Sequence, residues 1–294
     1  MTVTSIAPTE SRLSEHFALL KPKVMSLVVF TAFAGMWVAP GAGDMHPFLA
    51  AVAILCIAVN AGAAGAINMW YDRDIDAVMK RTSGRPLPLG RIEPGDALSL
   101  GIFLSIFSLM IMSLATNLMA AALLAVANLF YVFVYTVWLK RTTPQNIVIG
   151  GAAGAFPPMI GWAAVTGDIS LFPVILFAII FLWTPPHFWA LSLFANEDYK
   201  RANIPMLTVT AGARATKIQM LAYTLILLPV TLAPWLLGFS GAVYGVCALG
   251  LSGFFVFTAV RVFLSDDLKN ARQMFGYSVF YLFALFLALM IDKM

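Results

Sequence analysis

The chain has 294 residues, of which 61% are hydrophobic and only 11% are charged, and its mean hydropathy is +0.89. Soluble domains are about 45–50% apolar and about 25% charged, so this composition excludes an ordinary soluble enzyme and predicts a helical membrane protein. The net charge of +4 is explained by membrane topology and does not indicate a nucleic-acid partner. Cys56 and Cys247 lie in apolar runs, which is typical of buried filler rather than of a disulfide or a thiolate metal site.

The predicted elements begin after a polar segment. Residues 1–16 are predicted to form a flexible cytoplasmic tail, and residues 17–294 a single membrane domain. A bilayer crossing needs about 20 mostly apolar residues. The sequence therefore predicts an all-α bundle of nine transmembrane helices, at 24–42, 48–71, 97–115, 117–139, 145–165, 170–194, 218–238, 241–263 and 274–291.

Basic residues predict the orientation of these helices. If the N-terminus is cytoplasmic, every lysine and arginine except Lys293 falls in the tail or in a cytoplasmic loop, as the positive-inside rule requires. One wrong span would destroy this alternation. We therefore expect nine crossings, a cytoplasmic N-terminus and a C-terminus outside.

An acidic motif occupies the cytoplasmic end of the second span. Asn68, Asp72 and Asp76 recur every four residues, so they fall at about 0°, 40° and 80° around an α-helix and form one stripe, whereas Asp74 points to the other side. Carboxylates at this depth are costly unless they are paired or bind a cation. Stacked oxygen donors suit Mg²⁺, which proteins often share with substrate phosphates. The motif predicts a catalytic Mg²⁺ site; the alternative is a charged loop with surface ion pairs.

Cationic side chains follow this motif and recur in later cytoplasmic loops. Arginine forks bind phosphate oxygens bidentately, and lysines bind them as point charges. Carboxylates followed by such cations are typical of a metal–diphosphate site. The predicted diphosphate-binding residues are Lys80, Arg81, Arg85, Lys140, Lys200 and Arg201.

Two tyrosines in the fourth span share a helix face. Tyr131 and Tyr135 are four residues apart, so both rings can line one cavity and shield a carbocation by their faces. Ordinary helix packing is the alternative.

A second acidic cluster follows the sixth span. It contains Asn196, Glu197 and Asp198, and spans two and six run in the same direction, so both clusters can face one cavity. We predict Asp198 as the first further ligand, assisted by Glu197 or Asn196. Whether the site holds one or two Mg²⁺ ions stays open.

Four stretches of this sequence resemble the UbiA superfamily of intramembrane prenyltransferases, and within it the branch that farnesylates protohaem. The first motif, Asn-x-x-x-Asp-x-x-x-Asp, matches 68–76 within a similar stretch at 68–88, and the other similar stretches are 20–24, 150–162 and 184–207. The second motif departs from the superfamily pattern, since Ala195-Asn-Glu-Asp-Tyr199 stands where relatives often show Asp-x-x-x-Asp.

This resemblance covers nearly the whole chain beyond the tail, and it implies a reaction. Farnesyl diphosphate and haem B are the implied substrates, Mg²⁺ the cofactor, and haem O and diphosphate the products. It also implies a bacterial inner-membrane protein with a cytoplasmic active site, and haem A synthase as a possible partner.

His187 is the one histidine that falls within a predicted span. A histidine inside the membrane is a candidate functional residue. Given the resemblance, it could bind the haem iron or position the vinyl group. The alternative is that it satisfies backbone groups freed by Pro185 and Pro186.

Three other functions compete with this interpretation. A quinone-type prenyltransferase would use the same diphosphate motif but accept an aromatic acid. A transporter would need ionisable residues deep in several spans, whereas here the acids crowd one face. A haem-binding scaffold without catalysis would have no use for the aspartates.

Overall fold

A computed structural model describes residues 13–293, except for the side chains of residues 23 and 24. The predicted flexible tail, 1–16, therefore lies mostly outside the described residues. Within the described range the chain is helical, with no β-strand. The helices are α1 Leu13–Leu19, α2 Pro22–Val38, α3 Pro47–Tyr71, α4 Arg73–Val78, α5 Pro94–Ala115, α6 Leu118–Leu129, α7 Asn146–Ala155, α8 Pro157–Thr166, α9 Leu171–Phe194, α10 Asn196–Arg201, α11 Leu207–Thr210, α12 Gly212–Leu236, α13 Ala242–Leu264 and α14 Leu268–Ile291.

The lengths of these helices show which of the predicted spans are long enough to cross a membrane. Among the described residues, eight helical segments are long and apolar enough to cross a membrane: α3, α5, α6 with its continuation to Leu139, α7 with α8, α9, α12, α13 and α14. The first predicted span corresponds to α2, whose apolar stretch, Met25–Val38, is shorter. The all-α multi-pass architecture is thus confirmed, whereas the count of nine crossings and the orientation of the termini stay predictions.

Prolines divide one of the predicted spans. The span at 145–165 is two helices, α7 and α8, separated at Phe156 because Pro157 and Pro158 have no N–H to donate. Helix α9 contains Pro185 and Pro186 and still runs continuously from Leu171 to Phe194. Prolines are tolerated in membrane helices because neighbouring groups can satisfy the carbonyls that they leave free.

The helices close into a ring. Helix α2 packs against α3 and α8, and α3 packs against α5 and the continuation of α6 to Leu139. That continuation packs against α7, α7 and α12 pack against α9, and α14 packs against both α9 and α2. The α14–α2 contact completes the circle between the two ends of the chain.

Helices α2 and α8 cross in close contact at two glycines. A Cβ at Gly161 would overlap the carbonyl oxygen of Ala32, and one at Gly35 would overlap the carbonyl oxygen of Pro158. The two backbones touch here because neither glycine has a side chain, which is how small residues allow close packing in membranes.

Polar side chains join α3, α5 and α6 inside the ring. Asn60 Nδ2 donates to Ser108 Oγ at 2.9 Å, and Asn128 Nδ2 donates to Asn60 Oδ1 at 3.0 Å and to Ser105 Oγ at 3.1 Å. Such hydrogen bonds between membrane helices contribute about 0.6–2 kcal/mol each. The network joins α6 to α3 and α5 just before the continuation of α6 that carries Tyr131 and Tyr135.

Candidate active site

A cavity of about 570 Å³ lies inside the ring of helices. This volume falls within the roughly 300–1,000 Å³ of small-molecule sites. The charged residues of its wall are Lys21 at the start of α2, Asp76 in α4, Arg81 and Arg85 in the loop after α4, and Lys140 shortly before α7. Asp72 is buried and does not border the cavity. The rest of the wall is mostly apolar, with lining residues from α2, α3, α6, α7, α9 and α14.

The predicted acidic stripe lies at the junction of α3 and α4. The N–H of Asp72 donates to Asn68 O at 2.9 Å, and the N–H of Asp76 donates to Asp72 O at 2.8 Å, so the four-residue spacing persists through the junction. Asn68, Asp72 and Asp76 are buried, with Asp72 0% exposed. Asp74 has 62% of its side chain exposed and pairs with Arg141. The structure brings the stripe together and leaves Asp74 outside it.

Both buried carboxylates meet cations from other segments. Lys140 Nζ pairs with Asp72 Oδ2, and Arg141 Nη2 lies 3.4 Å from Asp72 Oδ1. Arg85 Nη1 lies 2.5 Å from Asp76 Oδ2. Removing one partner of such a buried pair would leave an uncompensated charge, which costs about 3–5 kcal/mol.

The side chain of Asn68 makes hydrogen bonds to three other residues. Its Nδ2 donates to Asp72 Oδ2 at 2.7 Å and to Thr136 Oγ1 at 3.1 Å, and its Oδ1 accepts from Lys21 Nζ at 2.8 Å. The amide therefore presents its oxygen toward Lys21 and its nitrogen toward the carboxylate.

Lys21 is a cavity residue that the sequence interpretation counted as a cytoplasmic charge and as part of the family-like stretch 20–24, but did not predict as a site residue. Its ammonium borders the cavity, and its pKa is lowered to about 7 by burial and by the cations of Arg85 and Lys140, against the opposing pull of Asp76 and Asp72. Its backbone is left-handed, with φ 51°, immediately before Pro22. A lysine directly before the proline that starts a span is the signal that could have identified it.

A π-helical continuation of α6, Phe130–Leu139, places Lys140 at the site. Residues five apart in an α-helix lie about 140° apart. Here the N–H of Lys140 donates to Tyr135 O at 2.9 Å, a π-type bond that stacks residues five apart on one face. Tyr131, Tyr135 and Lys140 consequently all line the cavity. The two tyrosine rings lie 5.4 Å apart between centroids.

The predicted diphosphate-binding cations divide into two groups. Arg81, Arg85 and Lys140 border the cavity, whereas Lys80, Lys200 and Arg201 do not. Lys80 is exposed on the loop after α4. The roles of all six stay predictions, and the geometry favours the first three.

The second acidic cluster turns its carboxylates away from the cavity. Glu197, with 77% of its side chain exposed, pairs with Lys200 at 2.9 Å, and Asp198 pairs with Arg201, both within the single turn of α10. The residue of α10 that borders the cavity is Tyr199. Asn196 Oδ1 is buried and has no hydrogen-bond partner among the described residues. Their predicted role as metal ligands therefore lacks geometric support from this arrangement.

An apolar cluster nevertheless joins the two acidic segments. It connects the α4 segment to the α10 segment and the start of α7, through Ile75, Met79, Ile147, Tyr199, Ile204 and Met206. The prediction that the ends of spans two and six meet over one cavity agrees with this contact.

The stripe suits Mg²⁺ by the chemistry of its donors. In the part of the chain that the structure describes, no three His, Cys, Asp or Glu side chains come together as a metal site. Two carboxylates and an amide oxygen are donors that suit a cation with further ligands from phosphates and water. Lys21, Lys140 and Arg85 are bound to these oxygens here, so Mg²⁺ would bind by displacing them. The donor set thus fits Mg²⁺ shared with a diphosphate rather than a closed all-protein site.

Replacing Lys21 by methionine is expected to lower kcat/KM for a diphosphate substrate by about 10- to 100-fold, because a hydrogen bond to a charged group contributes about 1.5–3 kcal/mol. The measurement is steady-state kinetics in membranes at varied diphosphate concentration. Lys80→Met is the matched control, since Lys80 is exposed and does not border the cavity. Equal losses in both variants would contradict a direct role for Lys21.

The sequence matches a known protein family and a curated relative over most of its length. Residues 28–289 match the model of the UbiA prenyltransferase family. The chain is 58% identical over 296 residues to the "Protoheme IX farnesyltransferase" of Granulibacter bethesdensis, covering 97% of this chain and 92% of that protein.

Solved structures share the fold at low identity. A digeranylgeranylglyceryl phosphate synthase has a TM-score of 0.79 and 18% identity, covering 96% of this chain and 98% of its own. A UbiA homologue from Archaeoglobus fulgidus bound to DMAPP and Mg²⁺ has a TM-score of 0.66 and 16% identity, covering 92% of this chain and 99% of its own.

Proposed function

The chain belongs to the UbiA prenyltransferase family, and from that premise we propose that it transfers the farnesyl group of farnesyl diphosphate to a vinyl group of haem B. The products are haem O and diphosphate. The observation that carries this proposal is a largely apolar cavity that is bordered by Asn68, Asp76 and cationic side chains, with the buried Asp72 hydrogen-bonded to Asn68. A relative named for the same reaction supports the choice of acceptor.

The cations of the cavity bind the diphosphate. Lys21, Arg81, Arg85 and Lys140 all border it, and at least Arg85 and Lys140 already neutralise buried carboxylates. Preorganised charges of this kind stabilise the negative charge that develops on a leaving diphosphate. Mg²⁺ bound by Asn68, Asp72 and Asp76 would supply further neutralisation of that charge.

The apolar wall receives the farnesyl chain and limits access of water. When the carbon–oxygen bond of farnesyl diphosphate breaks, its electron pair leaves with the diphosphate, and the allylic carbon becomes cationic. The rings of Tyr131 and Tyr135 border the cavity beside the cations, where their faces can stabilise such a carbon.

The acceptor step conserves atoms and charge. The π-electron pair of a haem vinyl group forms the new carbon–carbon bond with the farnesyl carbon. Water then adds to the cationic carbon left on the haem side and releases a proton, which gives the hydroxyl group of haem O. We infer that the site opens toward the cytoplasm of a bacterial inner membrane and that a haem A synthase consumes the product.

The experiment that tests the function uses membranes that contain the chain. They are incubated with farnesyl diphosphate and either haem B or 4-hydroxybenzoate, with Mg²⁺ or with a chelator. We expect haem O by pigment chromatography with haem B and Mg²⁺ only. A farnesylated product from 4-hydroxybenzoate alone would establish the quinone-type alternative, and undiminished haem O under chelation would overturn the Mg²⁺ requirement.

A further inference from the structure

We propose that His187 holds the iron of the haem substrate through its Nε2 atom, and that Ser278 on α14 is the positioning residue that aims this atom. This inference rests on the proposed function, since it needs haem in the cavity. His187 lies in α9 and borders the cavity, and Ser278 lies 91 positions away in sequence.

Aromatic rings restrict the His187 imidazole to one orientation. Trp183 stacks on it with centroids 4.3 Å apart and planes inclined by 18°, and Phe275 stacks on it at 4.7 Å and 24°. One imidazole face has no room for two stacked rings, so these rings lie on opposite faces. Phe188 contacts the ring edge-on at 5.2 Å. With both faces covered, the imidazole meets the cavity by its edge.

Ser278 determines which nitrogen carries the proton. Its hydroxyl lies 2.6 Å from Phe275 O and 2.6 Å from His187 Nδ1. A hydroxyl has one proton, and the carbonyl can only accept it, so Ser278 Oγ accepts a hydrogen bond from Nδ1–H. His187 therefore carries a proton on Nδ1, and in the neutral form its lone pair is on Nε2.

The remaining nitrogen suits a metal. Within residues 13–293, no hydrogen bond is made by Nε2. The lone pair of an imidazole lies in the ring plane, so a ligand that binds iron approaches a porphyrin edge-on. A neutral imidazole whose other nitrogen donates a hydrogen bond is the arrangement typical of metal-bound histidines.

The arrangement is rigid because it joins two helices. Trp183 Nε1 donates to Ser278 O at 2.8 Å, so the residue that orients the imidazole is itself tied to α9. The α9–α14 contact thus positions His187 at a wall made of Trp183, Phe275, Val279 and Leu282, which is apolar enough for a porphyrin face.

Spectroscopy of bound haem tests this inference without farnesyl diphosphate. The purified full chain in detergent micelles is titrated with protohaem, reduced, and examined by resonance Raman for an iron–histidine stretch. We expect the band in the wild type, its loss in His187→Gly, and its return when imidazole is added to that variant. Ser278→Ala is expected to weaken haem binding by about 10- to 100-fold, as loss of a hydrogen bond to a metal ligand does.

Matched controls are His16→Ala and His46→Ala, which remove the other two histidines of the chain. A band that is absent from the wild type, that persists in His187→Gly, or that disappears in a control overturns the inference. Unchanged affinity in Ser278→Ala overturns the role of that residue. Haem O synthesis is assayed separately: haem O without the band refutes the inference alone, and the band without haem O refutes the proposed function alone.

Discussion

Replacing Asp72 by asparagine is expected to reduce haem O formation by at least about a hundredfold, because the variant removes a buried negative charge from the position that favours a cation next to the diphosphate. Asparagine keeps the shape of the side chain, and the oxygen that accepts from Asn68 can be retained. The measurement is the initial rate of haem O formation in membranes with equal amounts of protein.

Asp74→Asn is the matched control for this variant. It lies in the same motif two residues away, but its side chain is mostly exposed, and it pairs with Arg141 outside the stripe. We expect its rate to stay within about twofold of the wild type, since exposed ion pairs contribute about 0–1 kcal/mol. If Asp74→Asn lowered the rate as much as Asp72→Asn does, the activity would depend on the total negative charge of the motif and not on the buried position of Asp72.

A double variant separates metal binding from ion pairing. Asp72→Asn alone leaves the buried Lys140 without its main partner, which could destabilise the protein. Asp72→Asn with Lys140→Met removes that unpaired charge. If stability recovers while activity falls below that of Lys140→Met alone, then Asp72 has a role beyond neutralising Lys140, whereas activity equal to that of Lys140→Met would contradict a ligand role.

Replacing Gly161 by alanine is expected to destabilise the folded protein by about 3 kcal/mol or more, at the upper end of overpacking effects. The added methyl group would overlap the carbonyl oxygen of Ala32. That oxygen belongs to the backbone of α2 and cannot rotate away, so the two helices must separate. The measurement is thermal unfolding in detergent, together with the monodisperse fraction after solubilisation.

Gly253→Ala in α13 is the matched control. A Cβ there meets no atom within 4 Å, and the position is exposed on the outside of the ring. Alanine has a higher helix propensity than glycine by about 1 kcal/mol, so we expect equal or slightly greater stability. If Gly161→Ala unfolds at the same temperature as Gly253→Ala, the close α2–α8 crossing is incorrect.

The loss of activity in these two cases should have different signatures. Asp72→Asn should abolish turnover in the protein that is folded. Its unfolding temperature should equal that of the Asp72→Asn/Lys140→Met variant or be lower. Gly161→Ala should lower the amount of folded protein, and the part that remains folded should retain its rate. Normalising the rate to the monodisperse fraction distinguishes the two causes.

The sequence by itself determined the class of protein and the chemistry of the acidic motif. Apolar runs long enough to cross a bilayer are local features, so composition and length predicted the multi-pass helical fold. Helical periodicity is local as well, and it separated Asn68, Asp72 and Asp76 from Asp74 before any contact was known. The hydrogen bonds through the α3–α4 junction keep that periodicity.

The tertiary structure alone decided which distant side chains meet this motif. Lys21 reaches Asn68 across 47 positions, and Ser278 reaches His187 across 91, and no local pattern encodes such contacts. The π-helix that turns Lys140 into the cavity departs from the 3.6-residue period on which sequence reasoning depends. In α10, the pairing of Asp198 with Arg201 and the inward position of Tyr199 follow from packing against α4 and α7, because a six-residue helix can present any of its faces.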